Sequence, residues 1–443
     1  MTGSPAFKNH SMFPELPLLA LFKGRTQPDA FQRISLIAVQ HLLRETGCLL
    51  DASRQLGIPA ESILAIGKPY SSNRQVARQI KQSGIYAQIP DARWKAGYYG
   101  SFFRKAIRHS LAAQASPLHL KATKQTIILD DGGYCLELMQ RRTSAKGRFV
   151  GIEQTTSGLK MISRNPLNFP VIAVATSCAK RFIEPPIVLR AAEAKLAMRM
   201  TGFRRLQRKG VIGLGNIGYR IAAGLEKGNT QLFVYDKDES ALNKFVAEFP
   251  LSQACSNVCD LISHCDLIFG CTGTETLPRA CWPKLMAGHR TLVSCSSGDV
   301  EFQALLRSGL GRPKNPTDPF SAIVYRFSDV RLTVLEGGFP ITFDRAPVSA
   351  PLRDMQMTRA LLFGAIIQAV VCADQRKPTS GRLEMLHPAI QKFVVNHWLR
   401  LNPSRREDYP GDVLAGLLDE AWIRKHSEGT FVHSSRLSAM FKY

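Results

Sequence analysis

The sequence predicts an α/β protein with mostly parallel sheets, on three observations. Short apolar runs ending in polar or glycine-rich loops recur along the chain, as at 126–130, 149–153 and 169–174. Helical stretches lie between such runs, and that alternation builds parallel sheets. The stretch from Lys209 to Asp236 spells out strand, glycine turn, helix and second strand in succession.

Taken in order, residues 1 to about 30 are proline-rich and irregular. From Phe31, the residues Ile34, Ile37, Ala38, His41 and Leu42 recur at helical spacing, which predicts an amphipathic helix with His41 as a packed residue rather than a ligand. Ser62 to Gly67 reads as a strand, followed by a Pro69–Asn73 loop and a helix from Gln75 to Gln82; Phe102 to Gln114 reads as a basic helix. The strand from Thr126 runs into Asp130, Asp131, Gly132 and Gly133. That ending reads either as a capped turn or as ligand-facing carboxylates, because ligands of open α/β sheets sit at strand C-termini and adjacent carboxylates tune each other's pKa. The strand at 149–153 leads to Gln154, Thr155, Thr156 and Ser157, and the strand from Phe169 to Val174 leads to Lys180 and Glu184. Three strands delivering polar groups to one edge predict half of a cleft.

In the central stretch Gly213, Gly215 and Gly218 have G-x-G-x-x-G spacing, with Asn216 and Ile217 between the last two. The first glycine permits a tight turn, the second lets a pyrophosphate approach the backbone, and the third lets the helix close onto the strand. The helix N-terminus then offers N–H groups to the phosphates. After Gly228-Asn229, the run from Gln231 to Tyr235 ends in Asp236, a carboxylate placed to accept from ribose hydroxyls and to repel a 2′-phosphate. The stretch predicts a Rossmann domain that binds NAD rather than NADP. Further on, the sequence predicts strands at 290–295 and 330–335, a helix at 299–309, and a long buried helix at 355–373. His387 and His397 read as surface or packing residues.

A net charge of +23 and a pI near 9.8 favour anionic partners. The basic residues come in scattered pairs such as Arg104-Lys105 and Arg405-Arg406, which predicts a generally basic surface and not a nucleic-acid interface. Ten cysteines with no C-x-x-C pair predict buried, reduced thiols with neither structural metal nor disulfide. Reduced thiols and the lack of an export signal predict a cytoplasmic protein. The uncharged run from Ala360 to Ala373 is too short to span a bilayer, so no membrane association is expected.

Several motifs, in order, resemble those of S-adenosylhomocysteine hydrolases: ILDDGG at 128–133, GIEQTTSG at 151–158, FPVIAVATSCAKRF at 169–182, the glycine turn, DLIFGCTGT at 266–274 and GDVE at 298–301. LDEAW at 418–422 and the terminal FKY at 441–443 are similar to that family's tail. The resemblance implies a Rossmann NAD domain inserted in a second, parallel-sheet substrate domain. Residues 1–188 would begin the substrate domain, 189–345 bind NAD, 346–402 return as helices, and 403–443 form the tail. It also implies tightly held NAD, a nucleoside substrate linked to one-carbon metabolism, and a homo-oligomer, dimer or tetramer. In that family NAD oxidises the ribose 3′-hydroxyl, the acidified 4′ proton is lost, the 5′ thiol leaves, water adds and the ketone is reduced. By position, Lys180 falls on the lysine that assists oxidation, Asp131 on a carboxylate lining the sugar, and Glu184 on an aspartate. Gln154 stands where the family has a glutamate. Thr155, Thr156 and Ser157 fall on cofactor-contacting hydroxyls, and Thr272 and Gly273 lie in the later cofactor loop.

The departures cluster on the substrate side. The family's histidine, threonine and glutamate at the start of a helix fall on Pro28, Ala30 and Gln32, a later histidine falls on Ser297, and a Gly-His-Pro loop falls on 344–351 without a histidine. Ala175 and Pro185 replace asparagines, and Leu437 replaces the lysine of the tail. Three functions follow as expectations: a divergent enzyme acting by 3′-oxidation of a nucleoside thioether, an NAD-dependent oxidoreductase that does not hydrolyse, and a non-catalytic NAD-binding regulator.

Overall fold

A computed structural model of the protein describes residues 12–91, 93–114, 125–141, 149–226, 230–373 and 381–442. The expected turn at Gly228-Asn229 and the terminal Tyr443 lie outside them. The chain builds two eight-stranded sheets. In the first part run β1 (Ile34–Gln40), β2 (Ile63–Gly67), β3 (Tyr86–Gln88), β4 (Gln125–Asp130), β5 (Phe149–Glu153) and β6 (Val171–Ala173). The middle holds β7 (Arg208–Ile212), β8 (Gln231–Tyr235), β9 (Gln253–Ala254), β10 (Leu267–Gly270) and β11 (Arg290–Ser294). There follow β12 (Arg312–Pro313), β13 (Ile323–Phe327) and β14 (Val330–Val334). After the helix Leu352–Val371 the chain returns to the first sheet as β15 (Leu383–Met385) and β16 (Thr430–Phe431).

The first sheet is ordered β16-β15-β6-β5-β4-β1-β2-β3 and its strands are parallel. The second is ordered β12-β13-β14-β11-β10-β7-β8-β9, parallel except where β13 pairs with β12 and β14. Each sheet winds outward in both directions from its first strand, β1 or β7. The points where the order reverses, β1/β4 and β7/β10, are where open α/β sheets bind ligands. The fold class is therefore the expected one, a Rossmann domain set within a second parallel-sheet domain.

The segment from Ile34 is a correction. It forms a central strand, not a helix, and all seven residues of β1 are buried. Leu36 and Ala38 join the core on one face while Ile37 and Val39 join that on the other. A strand covered on both faces is apolar at every position, so it satisfies a helical spacing as readily as an alternating one. Pro28–Phe31 is a 3-10 turn ahead of β1. The first helix after β1 is Arg44–Gln55, so His41, Glu45 and Thr46 stand at that junction, not Pro28, Ala30 and Gln32.

A second correction concerns the thiols. Cys259, in the helix Val258–His264, is disulfide-bonded to Cys281, at the end of the 3-10 turn Arg279–Cys281, with Cα atoms 4.8 Å apart. The partners are 22 residues apart and meet only because two short helical elements pack together, which no local spacing announces. Cysteine usage thus no longer points to a reducing compartment. No helix of the described residues is long and apolar enough to cross a membrane.

Candidate active site

The glycine turn follows β7. Gly213 has φ +94°, and the Leu214 N–H donates to Asp236 Oδ2 at 2.6 Å, tying the turn to the acid that follows β8. A Cβ on Gly218 would lie 1.8 Å from the Gly213 carbonyl oxygen, so only glycine lets the helix Asn216–Glu226 start this close to the strand. A Cβ on Gly215 would meet nothing within 4 Å. That open space lies before a helix N-terminus whose first N–H groups, those of Asn216 and Ile217 among them, have no partner within the helix. A pyrophosphate fits there, and Asp236 can still accept from ribose hydroxyls, so the residues suit NAD.

The next loop is held from behind. Thr272 and Gly273 donate their N–H groups to Glu301 Oε1 at 2.7 and 2.6 Å, and Thr272 Oγ1 reaches Oε2 at 3.0 Å. Glu301 is buried and fixes the loop's shape, a role visible only in the structure although GDVE had marked the stretch. Asp299 points the other way. It accepts from the N–H groups of Gly97, at 2.8 Å, and Tyr99, at 3.4 Å, and so joins the second sheet's edge to the helix Tyr99–Gln114 beside the first.

At the first sheet's edge, β1, β2, β4 and β5 end together, and the first residues beyond them are His41, Lys68, Asp131 and Gln154. These four form one cluster. Asp131 Oδ1 pairs with Lys68, Asp131 Oδ2 lies 3.1 Å from His41 Nε2, and Gln154 donates to the same oxygen. His41 Nδ1 meets the Ser71 hydroxyl. Burial would raise the Asp131 carboxyl, but Lys68 and His41 hold it well below the usual carboxylate range. Burial pushes the His41 imidazole down to about 4 against the pull of Asp131, so the ring is neutral, with Nε2–H donating to Asp131 and Nδ1 accepting from Ser71. Sequence reasoning missed His41, through the strand read as helix, and Lys68, which lies between the predicted strand ending at Gly67 and the loop beginning at Pro69.

Behind this cluster Asp130 and Glu153 are register partners on β4 and β5. Asp130 Oδ2 accepts from Cys135 and Leu136 at 2.7 and 2.9 Å, while Glu153 Oε1 accepts from Gly132, Thr155 N–H and Thr155 Oγ1. Burial raises both carboxyls, the charge of Asp131 adds to both, and Asp130 raises Glu153 further, so the pair retains a proton. Thr155 also accepts from Gly158 and caps the helix Thr156–Ile162, with Ser157 Oγ 3.3 Å from its hydroxyl. The Thr155 hydroxyl is thereby engaged within its own loop.

Lys180 and Glu184 form a separate ion pair on the helix Cys178–Arg199 beyond β6. Glu184 Oε1 accepts from Thr358 Oγ1 at 3.0 Å, and the adjoining Arg359 donates to Gln40 Oε1 at 3.3 Å, so the helix Leu352–Val371 touches both polar groups of the edge. Lys180 therefore meets Glu184, while Asp131 meets Lys68, His41 and Gln154. Aromatic rings from the chain after β14 cover the cluster: Phe343 stacks on His41 with centroids 4.0 Å apart, and Phe339 stacks on Tyr70 at 4.7 Å. Among the described residues no group of three His, Cys, Asp or Glu is placed to hold a metal ion.

Residues 208–301 match the family described as the NAD binding domain of 6-phosphogluconate dehydrogenase. With the open glycine cradle and Asp236, this places the protein among NAD-binding proteins with a dehydrogenase-type cofactor domain. It is 30% identical over 357 residues, 80% of this chain and 68% of theirs, to the uncharacterized proteins MT0113 and Rv0104 of two Mycobacterium tuberculosis strains, CDC 1551 / Oshkosh and ATCC 25618 / H37Rv. The chain belongs to the family of these mycobacterial proteins. Among solved structures it is similar to a dipicolinate synthase polypeptide of Bacillus halodurans (10% identity, TM-score 0.36, 62% of this chain and 85% of that one). The dipicolinate synthase of Bacillus subtilis is a comparable match (10%, 0.38, 75% and 96%). Both likenesses are too slight to bear on function.

Proposed function

We propose that the protein is an NAD-dependent oxidoreductase acting on a hydroxyl of a nucleoside-like substrate, by the 3′-oxidation that its resemblance to S-adenosylhomocysteine hydrolases implies. The observation that carries this reading is the Lys180–Glu184 pair, fixed by Thr358 at the C-terminal edge of a parallel sheet. Bound NAD would supply a hydride acceptor, and as the carbon bearing the hydroxyl gives up a hydride its oxygen must give up a proton. Lys180 and Glu184 are a proton-handling pair suited to that task, with Thr358 keeping the carboxylate oriented. His41 stands near the same edge as a neutral imidazole with both nitrogens engaged, Nε2 by Asp131 and Nδ1 by Ser71, so elimination and hydrolysis of a thioether enter this reading only through the resemblance.

A second reading, a non-catalytic NAD-binding regulator, is favoured by the way Lys68, His41 and Gln154 occupy Asp131 and Phe343 covers His41. The two part in one experiment. NAD-loaded protein is mixed with adenosine or S-adenosylhomocysteine while absorbance near 340 nm and released thiol are followed. The enzyme reading expects cofactor reduction, lost about 100-fold or more in Lys180→Ala with NAD still bound. Reduction at the wild-type rate in Lys180→Ala would remove the role given to that lysine; no reduction with either compound would favour the regulator.

A further inference from the structure

Apart from the disulfide-bonded pair, the cysteines are buried except for Cys271 and Cys295, each of which keeps part of its surface accessible. These two stand side by side. β10 and β11 are parallel with Gly270 opposite Ser294, and the Cys295 N–H donates to the Gly270 carbonyl at 2.9 Å, so one further step of the ladder brings Cys271 opposite Cys295. Alternation along the strands fixes the face they share. Phe269 and Cys271 on one strand, and Val293 and Cys295 on the next, pack against the same apolar cluster as Ile221 and Ala222 of the helix Asn216–Glu226. Neighbouring strands lie about 4.8 Å apart, and a disulfide needs Cα atoms about 4.4 to 6.8 Å apart. The pair therefore has the spacing and the common face that a disulfide requires.

Its position ties it to the cofactor turn. β10 flanks β7 where the strand order reverses, and the Cys271 N–H donates to the carbonyl of Ile212, the last residue before that turn, at 2.8 Å. The turn rests on Cys271 without slack: a Cβ on Gly218 would lie 2.9 Å from the Cys271 Cβ, and one on Gly213 would lie 3.0 Å from the Cys271 carbonyl oxygen. Just beyond, Thr272 and Gly273 hang by their N–H groups from Glu301. Side chains opposite one another on parallel strands keep their Cβ atoms about 5 Å apart, and a disulfide draws them to about 3.8 Å, so closing it shifts the strand ends by about 1 Å. Close-packed surroundings pass such a shift on to the turn and the loop.

We propose that Cys271 and Cys295 are a thiol–disulfide site, oxidised by a low-molecular-weight disulfide, whose closure weakens NAD binding by displacing the glycine turn and the Thr272–Gly273 loop. This goes beyond the proposed reaction, since it rests on the NAD domain alone and holds whichever hydroxyl is oxidised. Cys295 attacks first. Its thiol, together with burial and the Glu301 carboxylate, holds the Cys271 thiol well above its ordinary range, so Cys271 keeps its proton longer. Cys295, having lost its proton, attacks one sulfur of the reagent; the reagent's S–S bond breaks, and the first departing thiolate takes up that proton. The Cys271 sulfur then attacks the Cys295 sulfur of the mixed disulfide and expels the second reagent thiolate, which takes up the Cys271 proton. The protein loses two hydrogens, and the reagent is reduced to two thiols.

The test incubates the full chain with glutathione disulfide, removes the small thiols, and digests a portion without reductant so that the peptides can be weighed. Calorimetric titration measures NAD affinity before and after. Wild type should yield a peptide pair joined through Cys271 and Cys295, and NAD affinity should fall about 5- to 150-fold, the range of coupling between linked sites, and return on adding dithiothreitol. Cys295→Ser cannot close the bridge and should bind NAD equally with and without oxidant; Cys295→Ala serves the same purpose if the serine variant fails to fold. The double variant Cys259→Ser/Cys281→Ser, which lacks the other bond, should respond as wild type does. Because coupling is mutual, saturating NAD should shift the bridge's equilibrium in glutathione buffers toward the dithiol by the same factor. The absence of a bridged peptide in wild type, a glutathione adduct that persists in its place, an NAD affinity unchanged once the bridge has closed, or an equal loss of affinity in Cys295→Ser overturns the proposal.

Discussion

The two sheets share a winding order and present the same kind of edge, four parallel strands with loops beyond them, yet they use their polar groups in opposite ways. At the second sheet, the turn after β7 leaves Gly215 facing open space, and the carboxylates Asp236 and Glu301 brace the loops through backbone N–H groups. At the first sheet, the residues just past β1, β2, β4 and β5 pair with one another, and Phe339 and Phe343 lie over them. One edge is a preformed cradle built on backbone. The other is a network of side chains whose charges are set by mutual contact. A cradle tolerates loss of its ligand with little rearrangement, whereas a buried network fails when a single member is removed.

That contrast is broken most directly at Asp131. Asp131→Asn leaves Lys68, itself 1% exposed, without its counter-charge, and a buried pair deprived of one partner loses about 3–5 kcal/mol. Adding Lys68→Met should recover most of that loss, since replacing both members by apolar groups is often neutral. Urea unfolding of the single and double variants measures it. A loss under about 1 kcal/mol for Asp131→Asn would mean that water reaches the cluster and that the two edges differ less than described.

The same contrast explains what the sequence discloses. The cofactor edge was legible because its requirements are local: three glycines at fixed spacing and one acid at the next strand end, each needed for a backbone reason. The substrate edge was half legible. Asp131, Gln154, Lys180 and Glu184 were visible as polar groups after apolar runs, but their partners were not, because pairing depends on which strands lie side by side. β4 lies between β1 and β5, so Asp131 meets His41 and Gln154, residues far from it in the chain. His41 was hidden twice, by a buried strand that mimics a helix and by a neutral, packed ring that gives no sign of charge. Lys68 and Arg359 looked like ordinary basic residues in a chain of net charge +23, and only their burial sets them apart.

At the cofactor edge, two glycines that look alike in sequence should behave differently. Gly218→Ala places a methyl group against the Gly213 carbonyl, which forces backbone apart and should cost about 1–3 kcal/mol of stability as well as NAD binding. Gly215→Ala puts the same methyl group into open space, so the protein should fold with an unchanged midpoint and still bind NAD poorly, because the methyl occupies the path of the pyrophosphate. Calorimetric titration with NAD, beside thermal unfolding without it, reads both. Equal NAD affinity in Gly215→Ala and wild type would show that the cofactor approaches the turn from another side.

The effect most specific to the network, and the smallest near neutral pH, is the pH dependence carried by His41. Burial holds its imidazole at about 4, below the ordinary value of 6.5, so the unfolded chain takes up a proton that the folded chain refuses between those limits. The unfolded state binds more protons there, and this residue's contribution to stability falls as pH drops from 6.5 toward 4. The loss is about 1 kcal/mol by pH 5.5 and about 3 kcal/mol at the acid end. Asp130 acts with the opposite sign: its raised carboxyl keeps a proton that the unfolded chain releases, so stability from that residue falls as pH rises. The wild-type profile alone therefore mixes the two. The difference between wild type and His41→Gln separates them, because Asp130 is common to both. Wild type should lose ground relative to the variant as pH falls through this window. A difference that stays flat from pH 7 to 4.5 would mean that His41 titrates as it would in water, and that the Phe343 ring does not seal the cluster against solvent.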